Sequence, residues 1–220
     1  DGLTRYHKYS LWAIPKDLIH AHILLLGLLE ITLTKYNGKL VPEEHRTEDV
    51  RERFGLTASF IHGIYLCEQS ILTGLYLQAG TLIRQEFEAL TLLREVQEKK
   101  RKKGRPANPT NAPWKAKMYY GELSAIAHLT DEKIIGSIIC AHHSDSGCYA
   151  SVVPQFSKEN TIRLYGFHVS LLLRLFFELK DLYKDVYGYE ISERENNILD
   201  VVSSILTAQG VFKEHPSSSL

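Results

Sequence analysis

The chain has 220 residues and a mass of 25.1 kDa, and 44% of its residues are hydrophobic. A chain of this size and composition buries roughly 70% of the surface its unfolded form exposes, so disorder throughout is excluded and a core needs neither metal nor disulfides. The 26 Lys+Arg cancel the 26 Asp+Glu, which excludes a uniformly basic nucleic-acid-binding surface and leaves room only for a local patch. Three cysteines, Cys67, Cys140 and Cys148, give no even disulfide framework, so a reducing, cytoplasmic setting is expected.

In chain order, Pro15-Lys16-Asp17 places proline and an acid where a first helical turn tolerates them, and an apolar pattern then runs to Tyr36 before Asn37-Gly38 ends it. Its most apolar stretch, Ile23 to Leu29, is bounded by His20, His22 and Glu30 and is shorter than the ~20 residues of a bilayer span. No small-residue cleavage site accompanies it, so a core helix and no membrane partner are expected. Val41 to Arg53, charged and holding a proline, reads as a connector. The second helix carries Phe60, Ile64, Cys67, Ile71 and Leu75 on one stripe. After Gln78-Ala79-Gly80 a third helix carries Leu82, Ile83, Phe87, Leu90, Leu93 and Val96, and it ends in the basic run Lys99 to Arg105.

Three prolines and two asparagines between Gly104 and Pro113 predict an exposed loop. A helix over Trp114 to His128 and a shorter one over Asp131 to Cys140 follow. Ala141 to Pro154 does not read as helix: His142 to Gly147 is a turn, Tyr149 to Val153 is strand-like, and a small hairpin fits. From Asn160, Ile162, Tyr165, Val169, Leu172, Phe176, Leu179, Tyr183 and Val186 alternate at three and four residues over more than three heptads. A seam that regular often pairs with a copy of itself, so a homodimer is expected. Ser192 and Glu195 mark the capped start of a last helix, and the tail after Lys213 reads as loose. The expected fold is a single all-α domain over residues 1–220, a bundle of five to seven helices with one small insertion at 141–154.

Several constellations could carry chemistry. Arg84, Glu88, Thr91 and Glu95 recur at helical spacing as a polar seam, with Arg84 and Glu88 an i,i+4 ion pair. Tyr120, Ser124 and His128 project from one helix face, but no Gly-x-Ser-x-Gly elbow surrounds Ser124, so a hydrogen-bonded cluster is expected there before a nucleophile. Cys140, His142, His143, Asp145 and Cys148 place five potential zinc ligands within nine residues, in an order that matches no standard finger. A flexible polar loop and a metal-dependent hydrolase centre both stay open for them. The basic run is explained by the helix dipole, with a phosphate-contacting RNA patch as the alternative; no aromatic residue is interleaved with it for base stacking.

The run Ser70-Ile-Leu-Thr-Gly-Leu-Tyr-Leu-Gln-Ala-Gly80-Thr-Leu-Ile-Arg84-Gln-Glu-Phe-Glu88, with Tyr120-Gly-Glu-Leu-Ser124-Ala-Ile-Ala-His128, resembles a family of uncharacterised helical bacterial proteins. Those carry Arg-x-x-x-Glu on one helix and Tyr-x-x-Leu-Ser-x-x-x-His on another. The likeness spans residues 56–187. It implies an all-helical fold and a shared polar centre of Arg84, Glu88, Tyr120, Ser124 and His128, and it leaves the activity open. The layout is also similar to the HEPN superfamily, which includes defence and toxin ribonucleases with an Arg-x4-6-His motif. Arg163 and His168 meet that spacing and are the catalytic candidates it implies. Five positions on a regular helix are about 140° apart, so the two share a site only if Gly166 loosens the helix or a dimer partner completes it. The expected function is a self-associating helical bacterial module, with a HEPN-like ribonuclease and a hydrolase at His142 to Cys148 as alternatives.

Overall fold

The computed structural model describes residues 2–112, 117–139, 142–144, 147–149 and 153–210, and the side chains of 2–6, 117–119, 142–144 and 147–149 lie outside that description. Among the described residues the fold is an all-α bundle with one small hairpin. The helices are α1 (Gly2–Ala13), α2 (Lys16–Tyr36), α3 (Glu48–Leu72), α4 (Tyr76–Gln97), α5 (Lys117–His128), α6 (Glu132–Ile138), α7 (Lys158–Tyr187) and α8 (Glu193–Ala208). Strands β1 (His142–Ser144) and β2 (Gly147–Tyr149) pair antiparallel between α6 and α7, within the segment expected to be irregular. The count exceeds the expected five to seven because Gly2–Ala13 is also helical.

Local chemistry sets the boundaries. The Pro15 carbonyl accepts the Leu18 and Ile19 N–H groups to open α2. The expected connector at 41–53 is helical in its second half, because Thr47 caps α3 and Glu48 and Asp49 face the positive end of its dipole. Asp131 caps α6 and Ser157 caps α7. Ser192 and Glu195 close a reciprocal capping box on α8. The break between α3 and α4 falls at Gly74, which has φ +79°, and not at Gly80. Gly80 lies inside α4 for a packing reason: a Cβ there would stand 2.7 Å from Cγ2 of Ile126 on α5.

Helix α7 is the axis of the bundle and packs against α2, α3 and α4. Tyr76 at the start of α4 bonds Thr161 (2.8 Å), and Glu86 further along bonds His168 (2.9 Å), so α4 and α7 run in the same direction. His22 meets Tyr165 and Tyr36 stacks on Tyr187, which makes α2 parallel to them as well. Arg53 reaches Asp185 from the opposite end of α3, the antiparallel member. The heptad seam of α7 is consumed inside this arrangement: Tyr165, Val169, Leu172, Phe176, Leu179, Tyr183 and Val186 are buried, and Ile162 at its start is half-buried. It is therefore not a free face, and the motive it supplied for a homodimer falls away. The tail from 213, expected to be loose, lies outside the described residues.

The close approach at Gly80 generates a test. Gly80→Ala gains helix propensity but drives its methyl into a branched carbon that cannot swing aside, and overpacking of this kind costs about 1–3 kcal/mol. Urea denaturation should show a net loss, partly recovered by adding Ile126→Leu, which removes the offending branch.

Candidate functional site

Among the described residues two polar centres hold candidate site residues, one anticipated and one not. At the first, Arg84 on α4 donates from Nε to Glu88 Oε1 (3.0 Å), from Nη1 to Ser124 Oγ (3.3 Å) and from Nη2 to the Tyr120 hydroxyl (3.4 Å). Its guanidinium carbon also lies 5.3 Å from the Tyr120 ring centroid, which in turn leans on Phe87. One cation thus ties α5 to α4, and the Arg84 side chain is only 14% exposed. The structure brings together four of the five anticipated residues. His128 is the exception: it is exposed at the last position of α5, and no hydrogen bond joins it to Ser124 or Arg84. Among the described residues Ser124 is hydrogen-bonded to a cation and to no base, which does not make a nucleophile.

The rest of the expected seam serves other ends. Thr91 returns its hydroxyl to the Phe87 carbonyl. Glu95 is buried and accepts from the Asn108 N–H (2.8 Å) and the Asn111 amide (3.0 Å). That carboxylate straps the expected exposed loop onto α4 and buries Ala107 and Ala112. The basic run faces the acids at the start of α3: Lys99 pairs with Asp49, Lys103 with Glu48 and Arg101 with Glu52 (2.8 Å), while Lys100 pairs with Glu98. Lys102 and Arg105 line a cleft of about 430 Å³ beside Glu95 and Asn111.

Arg163 and His168 do not share a site. Arg163 points outward and pairs with Glu122 of α5 (2.5 Å), whereas His168 is completely buried. Helix α7 continues through Gly166 without a break, so the side chains keep the angular separation of a regular helix. The side chains of Cys140, His142, His143, Asp145 and Cys148 lie outside the described residues; His142, His143 and Cys148 are described only as backbone in the hairpin.

The second centre lies in the middle of the bundle. His168 Nδ1 is 2.9 Å from Glu86 Oε2, and His22 Nδ1 is 2.6 Å from the Tyr165 hydroxyl. The two imidazoles meet edge to face with centroids 5.6 Å apart. One ligand atom from each of Cys67, Glu86 and His168 lies within 4.8 Å of the other two. All of these groups are buried, and among the described residues Nε2 of both histidines has no hydrogen-bond partner. Burial, then the charge of His168, lowers His22 to about 3, so it is neutral near neutral pH. Burial first, and then the charge and hydrogen bonding of Glu86, push the Cys67 thiol well above its usual value. Burial also raises Glu68 and Tyr165. The sequence marks His22, Cys67 and His168 separately, the last as half of the Arg163–His168 pair, and no spacing joins them to Glu86 as one cluster. Its signal was polar residues seated on apolar stripes: Glu86 between Ile83, Phe87 and Leu90, and His168 between Tyr165, Val169 and Leu172.

No protein-family model, curated protein or solved structure matches the chain.

The first centre makes a direct prediction. Arg84→Ala leaves Glu88 without its partner and unties α5; for a pair between the surface and fully buried limits this should cost about 1–3 kcal/mol. His128→Ala should leave thermal unfolding unchanged. Equal melting temperatures for wild type and Arg84→Ala would refute the clamp.

Proposed function

We propose that the chain is a self-associating helical module of the cytoplasm that pairs through the outer face of α2. The observation that carries this reading is the mismatch between the composition of α2 and its cover. By length and composition α2 is apolar enough to cross a membrane, yet only 39% of its most apolar window is buried. A helix that is hydrophobic all round is normally buried all round. On the uncovered side Ile23 is 61% exposed and Ile31 is 58% exposed. Gly27 lies midway between them on the same face with open space where a side chain would be.

The stripe Ile23-Gly27-Ile31 is symmetric about its glycine. Two copies of α2 crossing antiparallel at Gly27 set Ile23 of each chain against Ile31 of the other, which is the self-complementarity a twofold interface demands. The glycines let the backbones approach. A bilayer is the weaker occupant, because the other side of the same helix packs Leu18, Leu25, Leu28 and Leu29 against α7 and α8. Inserting α2 would strip the core. The unpaired thiol of Cys67 fits a reducing compartment. Ribonuclease chemistry on Arg163 and His168 is not part of this proposal, since one is at the surface and the other inside.

Sedimentation equilibrium in the micromolar range should return twice 25.1 kDa for the wild type. The double variant Ile23→Glu, Ile31→Glu should sediment as a monomer with unchanged helicity. A monomeric wild type overturns the reading, and flotation of the folded chain with lipid vesicles would assign α2 to a membrane instead.

A further inference from the structure

Each of four helices sends one metal-ligating side chain to the same region of the core: His22 from α2, Cys67 from α3, Glu86 from α4 and His168 from α7. We propose that this cluster binds one divalent transition-metal ion of the zinc class, with Cys67, Glu86 and His168 as ligands and His22 completing the set. Helical bundles build metal sites in this way, from inward side chains on facing helices.

The donor set selects the metal. A thiolate together with imidazole nitrogen and one carboxylate suits zinc and its neighbours, whereas magnesium and calcium seek oxygen alone. Bond lengths of about 2.0–2.3 Å at tetrahedral angles place ligand atoms roughly 3.3–3.8 Å apart. The three atoms already lie within 4.8 Å of one another, close to that spacing, and the 2.9 Å contact between Glu86 and His168 would open slightly to admit the ion. Charge balances as well: a dication beside one thiolate and one carboxylate is neutral, and a buried site tolerates little else. On binding, the Cys67 S–H bond breaks, its proton leaves to solvent and a metal–sulfur bond replaces it; no electron is transferred.

Independent support comes from the buried nitrogens. Among the described residues, Nε2 of His22, a residue 2% exposed, and Nε2 of His168, which is 0% exposed, have no hydrogen-bond partner. Buried polar atoms normally find partners, so two orphan nitrogens, one on a member of the cluster and one on the imidazole packed against it, point to a ligand. Tyr165 holds Nδ1 of His22 at 2.6 Å, the outer hydrogen bond that orients a ligating imidazole and leaves Nε2 to the metal. Tyr165 is a positioning residue.

The ligands are shut inside the bundle, so the ion should enter as the chain folds. The test is therefore refolding of the full chain from denaturant with cobalt(II) as the probe. The expected result is one cobalt per chain with a thiolate-to-cobalt charge-transfer band, bleached by zinc. Cys67 is one of only three cysteines, so in the Cys140→Ser, Cys148→Ser variant it is the sole thiol. That variant should keep the band, Cys67→Ser should lose it, and Tyr165→Phe should weaken binding by about 10–100-fold. Absence of the band from refolded wild type overturns the proposal. So does its loss from the Cys140→Ser, Cys148→Ser variant with native circular dichroism, which would place the metal at the hairpin. The result does not depend on the oligomeric state, and the wild type and the double-serine variant decide it even if Cys67→Ser fails to fold.

Discussion

Glu86 and His168 meet at 2.9 Å where neither side chain is more than 3% exposed, and a polar pair in that setting survives only if α4 and α7 keep one register. Sliding α7 by a turn would leave a carboxylate and an imidazole each buried without a partner, at a cost of several kcal/mol. The same turn of α7 carries Tyr165, whose hydroxyl takes His22 from α2. A second fastening lies two turns earlier on α7, where the Tyr76 hydroxyl meets Thr161 and accepts the Ser157 N–H. Apolar burial drives these helices together but does not choose among registers one turn apart. The polar contacts do.

That division explains what was legible in the sequence. Periodicity reports burial, so the regular alternation of α7 announced a long buried helix, and it did not say that the neighbours covering it would be α2, α3 and α4 of the same chain. Helix ends were legible where a capping group was nearby, as at Ser192, and missed where tertiary packing overruled propensity. Gly80 reads as a stop and is a contact with Ile126. Arg84 and Glu88 could be paired from spacing alone because they share a helix, and Ser124 and Tyr120 because they share the next one. The buried cluster could not, since His22 and Tyr165 are 143 positions apart and no single-helix pattern links them. Its members are visible only singly, His168 as half of the Arg-x4-6-His spacing and the others as residues on apolar stripes.

Charge is handled locally throughout. The basic run after α4 would be a concentrated positive patch if it stood alone, but α3 returns antiparallel and sets Glu48, Asp49 and Glu52 opposite it. Those acids also sit at the positive end of the α3 dipole, and the lysines at the negative end of α4, so each group is favoured before the pair forms. Most of these side chains are exposed and their bonds are individually weak. Arg101 and Glu52 are the most covered of them and fix the α3–α4 ends in register. A local basic patch in the sequence is thus largely neutralised in the fold, which removes most of the field that would have attracted a polyanion.

Helix α2 is the element in which the interior and the surface meet. Its inner face carries His22 among leucines that pack on α7 and α8, and its outer face carries Ile23, Gly27 and Ile31. Positions 22 and 23 lie a hundred degrees apart on the helix, so whatever fixes the rotation of one face fixes the other. Leucines are poor at this, because an apolar face can roll over its neighbour with modest loss. The His22–Tyr165 hydrogen bond cannot, since a small rotation carries the imidazole out of reach of the hydroxyl and leaves both unsatisfied in the core. The outer stripe therefore owes its presentation to a polar contact on the opposite side of the same helix.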